Sequence, residues 1–182
     1  MATTRLMTAE DLWLMQDDEC FHELVKGELI RMAPAGGKHG EIGFELAGQI
    51  RDYLKQHRIG KGYSADTGFI LARDPDVVRS PDVAFILTDR LPPEEKRGAF
   101  LELAPDLAVE IVSPSDSSSA VNDKVMQYLD LGVKLVWLIH PSTKSVNVYT
   151  PDRTVRILGE NDELDGGEVL PGFRLRIADI FV

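Results

Sequence analysis

Apolar residues recur along this chain in two rhythms, and the switches between them mark its elements. In "TAEDLWLMQDD", Thr8 stands as an N-cap before a first turn rich in acids and apolar residues at helical spacing, which predicts a short amphipathic helix. "FHELVKGELIRM" reads as two strand-like runs joined around Lys26-Gly27, a hairpin, and "APAGGKHG" as a loop of small residues. From about Gly40 to Gln56, Ile42, Leu46, Ile50 and Leu54 recur every four residues with Ala47 and Tyr53 beside them, the stripe of a core-facing helix. "GYSADTGFILA" predicts one strand, "DPDVVRSPD" a turn, and "VAFIL" the next strand. Beyond the polar connection "RLPPEEKRGAF", "DLAVEIV" predicts a third. The serine-rich "SPSDSSS" can cap a helix running from about Ala120 to Leu131, which Gly132 stops. "KLVWLIH" is almost continuously apolar, the pattern of a central strand buried on both faces. "KSVNVYT" and "RTVRIL" predict a closing hairpin around Pro151-Asp152, and "LPGFRLRIADIF" one more extended segment.

The resulting order is helix, strand, strand, strand, helix, strand, with hairpins at both ends. A helix between the third and fourth strands is the natural crossover of a parallel pair, so the expected fold class is α/β with a mixed sheet. The chain of 182 residues shows no internal repeat and no long linker, and is long enough for one domain with its own core. The expected division is an N-terminal helix and hairpin over 1–37, a core over 38–141 and C-terminal strands over 142–182.

Composition narrows the classes. With 43% hydrophobic and 27% charged residues, disorder is not the default. A formal net charge of −10 argues against a general electrostatic binder of nucleic acid, because no broad positive field attracts phosphate. It leaves room for a site that recruits divalent cations. The single cysteine, Cys20, cannot form an internal disulfide, reads as a small buried residue, and suits a reducing cytoplasm. Neither a signal peptide nor an eighteen-residue apolar run is present, so the expectation is a cytoplasmic protein with no membrane association.

Two apolar runs each carry one acid: Asp82 opens "PDVAFIL" and Glu110 stands inside "DLAVEIV". A charge facing a core costs several kcal/mol unless it is paired or bound to a metal. If the two strands lie side by side, their carboxylates converge at one edge of the sheet, where a divalent metal would relieve the repulsion. Hard oxygen donors suit Mg²⁺ or Mn²⁺, and no Cys/His spacing suits zinc. Lys124, Tyr128 and Leu131 share one face of the following helix, and that face could bring an ammonium over the acids. The same residues have plainer readings: Asp82 as a turn cap after Pro81, Glu110 in a salt bridge, Lys124 solvated. Asp76, in "RDPDVV", competes with Asp82 for the role of the first acid.

Proline-aspartate opening a strand, then Glu110 inside the next, then a lysine resembles the PD-(D/E)xK, restriction-endonuclease-like, nuclease superfamily. More narrowly, "FHELVKGELIRMAP", "KHG", "SPDVAFI", "PDLAVEIVSPSD", "K…Y", "GVKLVWLIHP", "VNVY" and "LPGFRLRIADIF" resemble the Uma-type restriction endonuclease family, from about Thr8 to Phe181. The resemblance implies an α-β-β-β-α-β core and Mg²⁺-dependent phosphodiester hydrolysis leaving a 5′-phosphate. It implies that Asp82 and Glu110 are metal ligands, with the backbone carbonyl of Ile111 as a further one. The chain departs from the superfamily at Val112, where the motif lysine would stand; the resemblance implies that Lys124 has taken over that role from the next helix. Glu23 in "HEL" and His39 in "KHG" also fall on family positions, Glu23 as a possible addition to the acidic cluster. Their plainer readings are an exposed hairpin residue and a histidine bonding backbone.

Arg51, Lys55, Arg58 and Lys61 gather near the end of the first core helix, either to hold a nucleic-acid backbone or to complement the helix macrodipole. "SPSDSSS" lacks the flanking glycines of a serine-nucleophile elbow and reads as a capping loop. The expected activity is a Mg²⁺-dependent DNA endonuclease acting as a homodimer, since two symmetric sites suit the cutting of a duplex. The alternatives are a catalytically inactive nuclease-fold binding or assembly module, and a metal-dependent hydrolase of a smaller phosphate ester.

Overall fold

The computed structural model describes residues 5–15 and 21–181; Cys20 lies outside the described residues. In chain order the elements are α1 (Ala9–Leu14), β1 (Phe21–Val25), β2 (Glu28–Met32), α2 (Gly37–His57), β3 (Gly60–Ser64), β4 (Phe69–Ala72), β5 (Val77–Arg79), β6 (Val83–Leu87), β7 (Leu107–Ile111), α3 (Ser118–Asp130), β8 (Leu135–His140), β9 (Ser145–Tyr149), β10 (Val155–Leu158), β11 (Glu163–Gly166) and β12 (Leu170–Arg176). They fall into two compact units. One is drawn from Met1–Pro34, Asp66–Ser80 and Pro92–Ala104, the other from Ala35–Ala65, Pro81–Leu91 and Pro105–Val182.

The first unit is a four-stranded sheet in the order β2-β1-β5-β4 with α1. The expected N-terminal hairpin is present, with β1 and β2 antiparallel in register from Phe21–Met32 to Val25–Glu28. Lys26 (φ 52°) and Gly27 (φ 77°) both take the left-handed conformation that a two-residue hairpin turn demands. A Cβ at Gly27 would come within 2.7 Å of the Leu6 Cβ, so glycine is required there twice over. α1 starts at Thr8 in a full capping box with Asp11. Ala9, Leu12, Leu24, Ile70 and Val78 form the core of this unit.

The second unit is built on a six-stranded sheet in the order β10-β9-β8-β7-β6-β3, in which only the β7–β8 pair is parallel. α3 makes the crossover between those two strands, as its place in the sequence predicts. The series α2, β3, β6, β7, α3, β8 reproduces the expected α-β-β-β-α-β order. Along β7 the side chains alternate. Leu107, Val109 and Ile111 join Ile42, Leu46 and Ile50 of α2 and Phe173 and Leu175 of β12 in one core. Ala108 and Glu110 therefore face the other way, and Tyr128 of α3 meets Glu110 there. β8, third from one edge, is buried along its length except at His140.

Two expectations need correction. "GYSADTGFILA" is not one strand: β3 pairs with β6 in the second unit, while β4 pairs with β5 in the first, and a turn at Ala65-Asp66 separates them. "DPDVVRSPD" is not only a turn, because Val77–Arg79 forms β5. Both strands are three or four residues long, too short for a readable period. The C-terminal extended segment also has a partner that its own pattern does not announce, β11, in "ELDG".

A buried charge cluster closes one end of the large sheet. The fully buried Asp106 accepts from Leu87 N at 2.9 Å and pairs with Arg90 at 2.7 Å and Lys134 at 2.8 Å. Burial alone would push its carboxyl up, but the Leu87 N–H, Lys134 and Arg90 outweigh that and hold its pKa below the ordinary value. A depressed folded-state pKa contributes stability that is present above the unfolded value of about 3.9 and is lost as pH falls through the folded one. Asp106→Asn should lower stability by about 2–3 kcal/mol in urea denaturation at pH 7. That gap from wild type should narrow progressively below about pH 4.

Candidate functional site

β6 and β7 are antiparallel, with Val83 opposite Val109. Continuing the register by one residue sets Asp82 opposite Glu110, on the face that α3 covers. Cross-strand neighbours have Cβ atoms about 5 Å apart, so the two acids named from the sequence share one end of the sheet. The pairing is locked by a side chain: Ile111 N donates to Asp82 Oδ2 at 2.7 Å. Asp82 thus stands in for a ladder bond just before the strand, where Pro81 has no N–H to offer.

Each acid has a nitrogen group against it. His39, in the first turn of α2, places Nε2 3.2 Å from Asp82 Oδ2. The hydrogen bond to Asp82 raises the His39 pKa, burial opposes the rise, and bonding to the Ile111 backbone and the nearby Glu110 charge add to it. The imidazole therefore touches both Asp82 and the Ile111 backbone. Lys124 of α3 places Nζ 2.8 Å from Glu110 Oε1, with both side chains 14% exposed. Tyr128 lies one turn further along α3, is fully buried, and donates its hydroxyl to the same oxygen at 2.6 Å. The helix start that permits this is local: Ser117 caps α3 by accepting from Ala120 N.

The donor set suits a hard divalent cation. It offers two facing carboxylates, and the Ile111 backbone lies within the same reach, since one imidazole contacts it and Asp82 together. Among the described residues no group of three His, Cys, Asp or Glu side chains could hold a metal ion. Backbone oxygen and water would have to complete the shell, which is ordinary for Mg²⁺ and not for zinc.

The remaining candidates divide. Glu23 belongs to the first unit, only 2% exposed; its Oε2 lies 2.6 Å from Arg79, and its Oε1 accepts from Ser80 N at 2.9 Å. It is a buried ion-pair residue, not the exposed hairpin residue of the plainer reading. Asp76 is in the same unit, where it accepts from Ala9 N at 2.7 Å and Arg73 at 2.9 Å and so anchors the start of α1. Arg51 and Lys55 both pair with Asp52, Arg58 caps α2 in the left-handed conformation, and Lys61 is exposed on β3. Tyr128 is the member that sequence reasoning did not connect to Glu110. Its four-residue spacing from Lys124 was the available signal, and only the packing of α3 on β7 shows where it points.

Lys124 and Tyr128 act on one oxygen, so their contributions should not add. Lys124→Met and Tyr128→Phe should each cost about 1–2 kcal/mol in chemical denaturation, and the double variant clearly less than the sum. Strict additivity would show that the two groups do not share Glu110.

A family model described as "Uma2: Putative restriction endonuclease" matches residues 9–178. A crystal structure described as "a putative nuclease belonging to DUF820 from Anabaena variabilis ATCC 29413" superposes with a TM-score of 0.84 at 25% identity, over 96% of this chain and 97% of that one. Curated proteins give no match. The mixed α/β fold, expected from the order of strands and helices, is thus restriction-endonuclease-like, as the resemblance implied. Among the described residues no helix is long and apolar enough to cross a membrane.

Proposed function

The chain belongs to the Uma2 family, described as "Putative restriction endonuclease", and from that membership together with its paired carboxylates we propose that it is a metal-dependent DNA endonuclease. The observation that carries this reading is the facing of Asp82 and Glu110 across β6–β7 with Lys124 Nζ 2.8 Å from Glu110. A half-buried acid pair with its own ammonium is costly as mere scaffolding, and it suits metal-assisted phosphodiester hydrolysis.

Asp82, Glu110 and the Ile111 carbonyl would hold Mg²⁺ or Mn²⁺, which when bound acts as a Lewis acid on the phosphate and lowers the pKa of a bound water. The chain's own groups do the rest. Ile111 N fixes the Asp82 carboxylate from one side and His39 from the other. Tyr128 fixes Glu110 by holding one of its two oxygens. Lys124 provides a positive charge beside the developing negative charge on phosphate, in the role of the lysine absent at Val112. With a net charge of −10, the approach of a polyanion would depend on this local cation set rather than on a basic surface.

Binding and cutting separate these roles. Calorimetry with Mn²⁺ should show binding to wild type and none to the Asp82→Ala/Glu110→Ala variant, with plasmid nicking lost alongside. Lys124→Met should keep Mn²⁺ binding yet lose cleavage by roughly 10²-fold or more. Absence of divalent binding to wild type, with and without duplex DNA, would reduce the fold to a binding scaffold. Binding with hydrolysis of small phosphate esters only would move the substrate class.

A further inference from the structure

We propose that the acid pair takes one divalent ion rather than two, with the Lys124 ammonium as the second positive charge; this rests on the metal-site reading above. A carboxylate has two oxygens, each with two acceptor positions. At Glu110, Oε1 accepts the Tyr128 hydroxyl at 2.6 Å and the Lys124 ammonium at 2.8 Å, so both of its positions are filled. Asp82 repeats the pattern: Oδ2 accepts Ile111 N at 2.7 Å and lies 3.2 Å from His39 Nε2. Each acid therefore has at most one oxygen to give a cation. In two-ion sites the ions stand about 3.5–4 Å apart, and a carboxylate that joins them commonly gives one oxygen to each. Neither Asp82 nor Glu110 can do so while the chain's own donors stay in place. Sharing the remaining oxygen between two ions would need further acids to hold them. Among the described residues no group of three His, Cys, Asp or Glu side chains could hold a metal ion.

Charge gives the same count. Asp82 and Glu110 carry two negative charges, and Lys124 returns one positive charge beside Glu110. With His39 neutral, one divalent ion and one phosphodiester anion bring this set to neutrality. A second ion would leave two uncompensated positive charges among side chains that are mostly buried, where repulsion is poorly screened. The other buried acids are committed elsewhere, Glu23 to Arg79, Asp76 to Arg73 and Asp106 to Arg90 and Lys134.

The count divides the labour. In a two-ion site both the attacking and the leaving oxygen have a metal beside them. Here one of those two tasks falls to Lys124, a cation carried on α3, whose Val125, Tyr128 and Leu129 are buried. Tyr128 sets the count together with Lys124, because its hydroxyl keeps Glu110 Oε1 occupied.

Mn²⁺ added to the full chain tests this, with calorimetry for the count and electron paramagnetic resonance for the surroundings of each ion. Wild type should take one Mn²⁺ per chain, lost in Asp82→Ala/Glu110→Ala. Its spectrum should be the resolved hyperfine pattern of an isolated ion, with or without a short DNA duplex. Lys124→Glu puts an acid in place of the ammonium, and Lys124→Met/Tyr128→Phe empties Glu110 Oε1 without adding one. Each of these, with circular dichroism like that of wild type, should take a second Mn²⁺ and show the spin-coupled signal of a close pair. Two ions per wild-type chain that are lost together in the acid variant, or a coupled signal in wild type, would overturn the proposal and leave the metal-site reading standing. Variants that stay at one ion would overturn the part given to Lys124 and Tyr128. A wild type that binds no Mn²⁺, with or without DNA, would remove the metal-site reading and this inference with it.

Discussion

Two carboxylates facing each other across an antiparallel strand pair repel, and the surroundings of Asp82 and Glu110 are organised by that repulsion. The β6–β7 register makes it unavoidable: once Val83 is opposite Val109, Asp82 is opposite Glu110. A strand slip of one residue would relieve it only by turning Val109 and Ile111 out of the core they share with Ile42 and Leu46. Burial of the apolar face thus holds the acids in place. Their charges have to be answered locally, by the Ile111 N–H and His39 at Asp82 and by Lys124 and Tyr128 at Glu110.

Those answers come from separate elements that converge on one sheet end. α2 contributes His39 from its first turn and α3 contributes Lys124 and Tyr128, while the strands contribute the acids and a backbone N–H. Both helices are bound to the sheet by apolar stripes, α2 through Ile42, Leu46 and Ile50, α3 through Val125, Tyr128 and Leu129. Apart from Tyr128, whose ring is itself part of the stripe, the polar groups are therefore positioned by packing that is independent of them. A divalent ion brought to this end would find oxygen donors already oriented, in competition with the imidazole and the ammonium that hold them now.

The buried acids Asp106, Asp76 and Glu23 are answered one at a time rather than as a pair. Asp106 is enclosed by Arg90, Lys134 and Leu87 N, Asp76 by Arg73 and two backbone N–H groups, and Glu23 lies between Arg79 and Ser80 N. Each is tied to its own unit and braces a local turn, strand end or helix start. Sequence alone ranked Asp76 beside Asp82 because both follow proline. What separates them is the neighbour across the strand, which for Asp82 is a second acid.

Long periodic segments determined their own structure: the four-residue stripe of α2, the apolar run of β8 and the caps of α1 and α3 were legible because each is a local preference repeated over many residues. The order of those segments also fixed the parallel β7–β8 pair, since a helix between two strands leaves little else. The acids could be named for the same reason, as charges inside apolar runs. Short segments were read unevenly: β10 was expected from "RTVRIL", but β4 was merged with β3, and β5 and β11 were missed. β4, β5 and β11 have three or four residues each, and their strand character comes from partners distant in sequence. Nor could the sequence say which cation meets which acid, that His39 reaches Asp82, or that Tyr128 closes on Glu110. Those contacts depend on how α2 and α3 pack on one sheet, and a side chain's direction across such a layer is set by tertiary packing rather than by its neighbours in the chain.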